Sequence, residues 1–357
     1  LRHKYRRGKG PAGVQPPLYT VVQALAALRL LRPVSYGETF APGPGVRCRY
    51  RDAGHILGSA CLEVWLDGGG ERRKVVFSGD LGMSGRPVLP DPEPIDAADV
   101  LLVESTYGNR RHRSLAETED EIVEAFRRTR AAGGNLIIPA FAVGRTQEML
   151  YVLADLVRRR RLAPLKVYVD SPMANAATRI TVTHRDLLDA ETRDLMDWLA
   201  AHPEQMAVEF VADVEASQAL NQVRSGAVIV SASGMCEAGR IKYHLRENLG
   251  RPECTVLMTG FQAAGTLGRR LVDGARLVHI FGQAVPVRAA IVTVGGLSAH
   301  ADQGALLAWL EHFRPAPRQT CVVHGESEAA AALAAAIGER LGWAGVRVAS
   351  QNEFITL

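Results

Sequence analysis

Five short stretches set a polar side chain among small residues: His55 in DAGHILGSA, Asp80 in FSGDLG, Glu104 in VLLVESTYG, His300 in GGLSAHAD and His324 in CVVHGES. Four of the five close apolar runs with strand character. Positions just past the carboxyl ends of strands are where α/β scaffolds gather their sites, because rigid backbone there presents side chains to a cleft. Neutral imidazole and carboxylate suit zinc in tetrahedral or five-coordinate geometry. A further pairing of His with carboxylate suits proton transfer. Taken singly, each residue also has an ordinary structural reading. An Asp after a strand forms turns, a His is commonly a hydrogen-bonded structural residue, and Ser298 with Asp302 reads as a helix cap. As a metal site the set is incomplete: a two-metal centre needs about seven or eight protein ligands, more than these residues supply. No HxH, HxxxH or HxxEH occurs in the chain.

The elements that must position these residues follow from periodicity. A helical pattern over Val21 to Leu31 gives way to short strands at Gly45 to Tyr50, Cys61 to Leu66 and Lys74 to Phe77, with the glycines at 68 to 70 making a hairpin, and VLLVE at 100 to 104 reads as a buried strand. After Arg113 helices and apolar strands alternate: helix 115 to 131, NLIIPAF, helix 145 to 160, KVYVD, helices to about 200, AVIVS, a helix from Arg240, and TVLMTG. Such alternation predicts a parallel sheet with crossover helices. β texture then returns with LVHIFG and RAAIVTV, followed by a helix over 302 to 313, QTCVVHG, an Ala-rich helix over 327 to 341 and a last strand. β-rich, α/β, β-rich is the order expected of one domain interrupted by another.

In this order, GHILGSA, SGDLG, ESTYG, SAHADQ and VHGE resemble the motifs of the β-CASP family of metallo-β-lactamase-fold nucleases. The resemblance is greatest to the branch of the cleavage and polyadenylation specificity factor endonuclease subunit and its bacterial and archaeal relatives. It covers essentially the whole chain, since IPAFAVGRTQEML, VYVDSPMA, SASGMCEAGRI and GFQAAGTLGR match the inserted β-CASP domain. The resemblance implies a metallo-β-lactamase αββα sandwich in two pieces, 1–112 and 277–357, around a β-CASP α/β domain at 113–276. It implies a zinc-dependent ribonuclease with two zinc ions. His55 would bind the first zinc, Asp80 would bridge both, and His324 would bind the second in the position that marks RNA-acting members. Glu104 and His300 would be catalytic with Asp80, His300 as the proton donor. RNA, preferably single-stranded, would lie between the domains.

The family's HxHxDH motif, which supplies the remaining ligands, is not found in this sequence, so the chain is expected to be a fragment and to be inactive on its own. The rival readings are a non-catalytic RNA-binding or scaffolding paralogue, whose motifs would be degraded, and a small-molecule hydrolase, which would lack the insertion. Two Gly-rich stretches, SASGMCEAGR and FQAAGTLGR, lie at strand-to-helix junctions where backbone N–H groups face anions. Ser231, Ser233, Gly234, Arg240, Thr266 and Arg269 are therefore candidate RNA contacts, with tight turns as the competing reading. Arg158 to Arg161 ends a helix, where cations complement the dipole on a solvated face.

Composition bounds the rest. With 357 residues, 47% hydrophobic and 22% charged, the chain can bury a large core, which excludes intrinsic disorder. No apolar run approaches a membrane span and no signal peptide opens the sequence, so a soluble cytoplasmic protein is expected. The five cysteines form no CxxC pair, which argues against a disulfide framework and a thiolate zinc site. A net charge of +4 is compatible with nucleic acid without requiring it. A homodimer is an open expectation.

Overall fold

Alternating residues in VRCRYRD, ACLEVWLDG and ERRKVVF build an antiparallel meander in the computed structural model, which describes residues 18–68 and 70–354. Strands β1 (Thr39–Gly43), β2 (Val46–Asp52), β3 (Ala60–Gly68) and β4 (Glu71–Phe77) pair in sequence order. The turn at the glycines falls where expected, with Gly68 opposite Glu71, although Gly69 lies outside the described residues, as does most of the basic opening loop. Buried Glu63 ties the meander together, accepting from Arg49 on β2 and Lys74 on β4, each at 2.6 Å.

Strand β5 (Val100–Val103) then runs parallel to β4, and β14 (Gln319–Val322) and β15 (Val346–Val348) extend the sheet in parallel, giving seven strands in the order β1-β2-β3-β4-β5-β14-β15. One face is covered by the helices Gln303–Leu310 and Ser327–Leu341, whose Leu306, Leu310, Leu333 and Ile337 pack on Val76, Leu101 and Val103. Strands from both ends of the chain thus share one sheet, as an interrupted domain requires.

The inserted unit is a six-stranded sheet, wholly parallel, in the order β13-β10-β6-β9-β7-β8. Its strands are β6 (Leu136–Pro139), β7 (Leu165–Val169), β8 (Met206–Phe210), β9 (Val228–Ser231), β10 (Thr255–Met258) and β13 (Ala290–Thr293), while β11 (Leu277–Ile280) and β12 (Gln283–Pro286) pair apart as an antiparallel hairpin. In β6 every side chain is buried, yet neighbours serve different cores. Leu136 and Ile138 pack with the helices Leu115–Ala131 and Arg145–Arg158, while Ile137 faces Ile241 and Leu245 of the helix Ile241–Asn248. Helices on both faces explain why these strands read as continuous apolar runs.

Two differences from the sequence reading concern boundaries. Strand β13, placed in the C-terminal piece by a division at 277, pairs with β10 along its whole length, so the parallel sheet reaches past residue 290. Strands β1 and β8 were not foreseen; both sit at sheet edges, and their exposed side chains leave only a weak apolar alternation. The Arg158–Arg161 run meets its structural expectation: Arg158 pairs with Asp155, Arg159 with Asp155 and Glu119, and Arg161 with Glu119 and Asp120.

Candidate active site

Sheet order alone brings three of the five motif residues to one edge. Asp80 follows β4 and Glu104 follows β5 beside it, while His324 follows β14 on the other side of β5. His55 hangs from the loop joining β2 to β3, and Gly82 holds that loop against the Asp80 turn. Gly82 donates its N–H to the Ala53 carbonyl at 2.7 Å, and a Cβ at Gly82 would stand 2.0 Å from the Gly54 carbonyl oxygen. The same turn carries the fifth residue: Gly82 forms a β-bridge with His300, and Ala301 N–H donates to the Leu81 carbonyl at 2.7 Å. Gly325 is needed for a similar reason, since a Cβ there would meet the Ser105 hydroxyl at 2.3 Å.

All five side chains converge. Asp80 stands between two imidazoles, Oδ2 at 3.9 Å from His55 Nε2 and Oδ1 at 3.3 Å from His324 Nδ1. The His55 and His300 rings lie 4.3 Å apart, and one donor atom each from His55, Asp80 and His300 fall within 4.8 Å of one another. His300 turns its Nδ1 to Glu104 Oε1 at 3.1 Å. Glu104 is fully buried and accepts further bonds from the Leu81 N–H at 2.7 Å and the Thr106 N–H at 3.2 Å.

The electrostatics follow from these contacts. Burial alone would raise the Glu104 pKa, but hydrogen bonding from His300 and the backbone brings it below the ordinary carboxylate value. Burial depresses the His300 imidazole; the Glu104 carboxylate outweighs this and leaves it raised. Burial, with His300 close by, lowers His55 and so favours the neutral imidazole that binds metals. His55 and His324, with one Asp80 oxygen toward each, make a set of imidazole and carboxylate donors that fits zinc.

Facing this cluster is a cavity of about 460 Å³ between the two sheets, with His55, Tyr107 and His300 on one side and Phe141, Gly234 and Phe261 on the other. The carboxyl ends of β6, β9 and β10 open onto it, as parallel sheets dispose their ligand sites.

The predicted RNA contacts separate. Gly234 lines the cavity. Ser231 is 1% exposed and donates its hydroxyl to the Asp170 carbonyl at 2.8 Å, so its side chain is a structural tie and not an RNA contact. Arg240 is held by the Asp170 carboxylate at 2.7 Å and by the Val211 and Ala212 carbonyls. Ser233 accepts from the Ala238 N–H at 3.3 Å within its turn. Thr266 caps the helix Leu267–Val272, and Arg269 on that helix pairs with Asp273 at 2.8 Å. For these residues the tight-turn reading accounts for the contacts.

Sequence reasoning passed over four residues around the site. His112 approaches the His300 carbonyl at 3.1 Å through Nε2, and its N–H donates to Asp302 at 2.9 Å, while Asp302 also caps the helix Gln303–Leu310. Arg86 joins the domains, donating to the Ser298 carbonyl at 2.9 Å and meeting Glu148 at 3.2 Å. Tyr107 and Phe141 face the cleft. The alternation of GRPVLP carried no sign of Arg86's burial, whereas Tyr107, three residues after Glu104, lay within the ESTYG motif itself.

A fold of this kind, with a cluster of His and Asp at the junction of an interrupted β domain and an inserted parallel sheet, defines a metallo-hydrolase. Family comparison agrees: the Beta-Casp domain matches residues 146–271, and the Zn-dependent metallo-hydrolase RNA specificity domain matches residues 284–348. The chain is 40% identical over 314 residues to ribonuclease TTHA0252 of Thermus thermophilus, covering 86% of this chain and 69% of that protein. It is 31% identical over 304 residues to an RNase J-like protein of Methanocaldococcus jannaschii, covering 84% and 68%. Transcription termination factor FttA of Pyrococcus abyssi is 29% identical over 341 residues, which span 92% of this chain but 51% of FttA. The chain belongs to the β-CASP family of metallo-β-lactamase-fold hydrolases.

Proposed function

We infer that the protein is a zinc-dependent ribonuclease hydrolysing RNA phosphodiester bonds in the cleft between its two sheets. The observation that carries this reading is the pair Glu104 and His300, 3.1 Å apart, with the His300 ring against His55 and facing the cavity. In this reading His55, Asp80 and His324 would hold zinc, with one Asp80 oxygen directed toward each of the two imidazoles. Zinc held there supplies Lewis-acid neutralisation of charge at the phosphoryl group. Water attacks phosphorus as the P–O3′ bond breaks, and Glu104 orients the His300 ring through Nδ1 so that Nε2 protonates the departing ribose 3′ oxygen. The products then carry a 5′ phosphate and a 3′ hydroxyl. Single-stranded RNA is the favoured substrate, since the ring-lined wall of the cleft suits unpaired bases.

All five cysteines are free and buried, which supports a reducing, cytoplasmic setting. Among the described residues no helix is long and apolar enough to cross a membrane. A scaffolding role without catalysis is disfavoured because the five motif residues are not only retained but assembled. The test is chelator-sensitive cleavage of matched RNA and DNA oligonucleotides by the chain joined to a segment that supplies the HxHxDH motif. RNA-selective hydrolysis abolished by chelation is expected. Equal cleavage of DNA refutes the substrate preference, and cleavage indifferent to chelation refutes the zinc chemistry.

A further inference from the structure

The wall of the cleft opposite the His and Asp cluster is poor in charge. Arg145 is the cation lining that cavity outside the cluster; it is buried and engaged with Glu148 at 2.7 Å. A phosphate has little to bind on such a wall. Phe141, by contrast, is 46% exposed there, immediately after β6 and the buried Ala140. With exposed Met173 beside it on the same cavity wall, the ring belongs to an apolar patch at the mouth of the site, the kind of surface that marks a ligand-binding groove.

The ring is held firmly despite that exposure. Its edge rests on Gly234, where a Cβ would come within 3.0 Å of Phe141 Cδ2 and 3.1 Å of Cε2. Its backbone is fixed from two directions: Thr146 donates to the Phe141 carbonyl through N–H at 3.2 Å and hydroxyl at 2.8 Å, and Ala140 N–H donates to the Ser231 carbonyl at 3.0 Å. The ring edge thus lies beside Gly234, and the residue lines the cavity that also holds His55 and His300. Exposed Met173 and the ring of Phe261 complete an apolar surround.

We propose that Phe141 is a stacking platform for one unpaired nucleobase next to the scissile phosphate, and that Gly234 is glycine so that the ring edge can sit against it. The proposal rests on the ribonuclease reading for the identity of its ligand and adds the subsite that receives a base. Stacking of a base on an aromatic side chain tolerates any base, because every base has a π face. The subsite thus fixes the register of the strand without selecting its sequence. It also gives Gly234 a part in RNA binding that does not require its N–H to touch phosphate.

The test uses the chain joined to a segment that supplies the HxHxDH motif, and a single-stranded RNA oligonucleotide with one abasic nucleotide moved along its length. Binding is read by anisotropy in chelator, and cleavage separately with zinc. In the wild type, one abasic position is expected to weaken binding roughly five- to a hundredfold. Phe141→Ala should show that loss on intact RNA and no further loss at the abasic position, while Phe141→Trp should restore binding. Gly234→Ala, which displaces the ring without removing it, should weaken binding in the same position-dependent way. Abasic and Phe141→Ala effects that simply multiply, or an abasic scan with no sensitive position, overturn the platform. RNA that binds with a sensitive position but is never cleaved overturns the ribonuclease reading and leaves the platform standing.

Discussion

Glu104 and His300 are 196 positions apart in the chain, yet their side chains meet at 3.1 Å, each delivered by a different piece of the interrupted domain. The Glu104 carboxylate is sealed from solvent, whereas the His300 ring reaches the cleft. That arrangement allows two roles for His300. With Nδ1 on a carboxylate, Nε2 can act as a proton donor, or it can be a metal ligand of the carboxylate-backed type.

Zinc content separates these roles. In the protein with its complete motif set, His300→Ala and Glu104→Ala are expected to lower RNA cleavage by about 10² to 10⁴ with zinc content nearly unchanged. Asp80→Ala should instead lose metal. A His300→Ala protein stripped of zinc would make it a ligand and remove it as the acid.

Gly82→Ala tests how the site is assembled. The added methyl would stand 2.0 Å from the Gly54 carbonyl oxygen, so the His55 loop and the Asp80 turn must move apart. A cost of about 1 to 3 kcal/mol in stability is expected from such overpacking, accompanied by weaker zinc retention. Denaturant melts and metal analysis check both, and unchanged zinc retention would show that the close approach does not position the ligands.

These glycines mark what could be read from the sequence and what could not. Asp80, Glu104 and His324 were legible because each ends an apolar strand, and sheet order then places strand ends side by side. That Gly82 and Gly325 permit close backbone approach was not legible, because a glycine in a turn looks the same whether it faces solvent or another chain segment. Arg240 shows a different limit. A cation beside a Gly-rich loop after a strand looks like a phosphate ligand, and only the fold brings Asp170, seventy positions away, to its guanidinium at 2.7 Å. Phe141 escaped notice because side-chain exposure is a property of the assembled cleft.

The donor inventory gives a third prediction. Among the described residues His55, Asp80 and His300 cluster around one point, and His324 is 58% exposed beyond them. A catalytic zinc normally has three protein ligands. The 357 residues alone are therefore expected to retain fewer than two zinc ions per molecule after dialysis, and to cleave RNA no faster than background. Two retained ions together with chelator-sensitive cleavage would mean that unrecognised donors complete the site.

Asp170 yields a prediction for the inserted domain that is independent of metal. Its carboxylate, fully buried after β7, accepts from His244 Nε2 and the Ser217 hydroxyl at 2.6 Å and from Arg240 at 2.7 Å. Burial alone would raise its pKa; these three donors outweigh it and hold the group below the ordinary aspartate value. A carboxyl whose pKa is lower in the folded than in the unfolded chain contributes stability above the unfolded value, and that contribution disappears as pH falls through the folded value. Wild-type stability should therefore decline as pH drops below about 4, the range of an unperturbed aspartate. Asp170→Asn leaves Arg240 without its counter-charge and should cost about 3 kcal/mol at neutral pH. Across the acid range the gap between the two proteins should narrow, since protonating Asp170 in the wild type removes the same interaction. Urea denaturation from pH 7 to pH 3 measures the gap, and a difference that stays constant over that range would show that the charge of Asp170 is not what holds Ser217, Arg240 and His244 together.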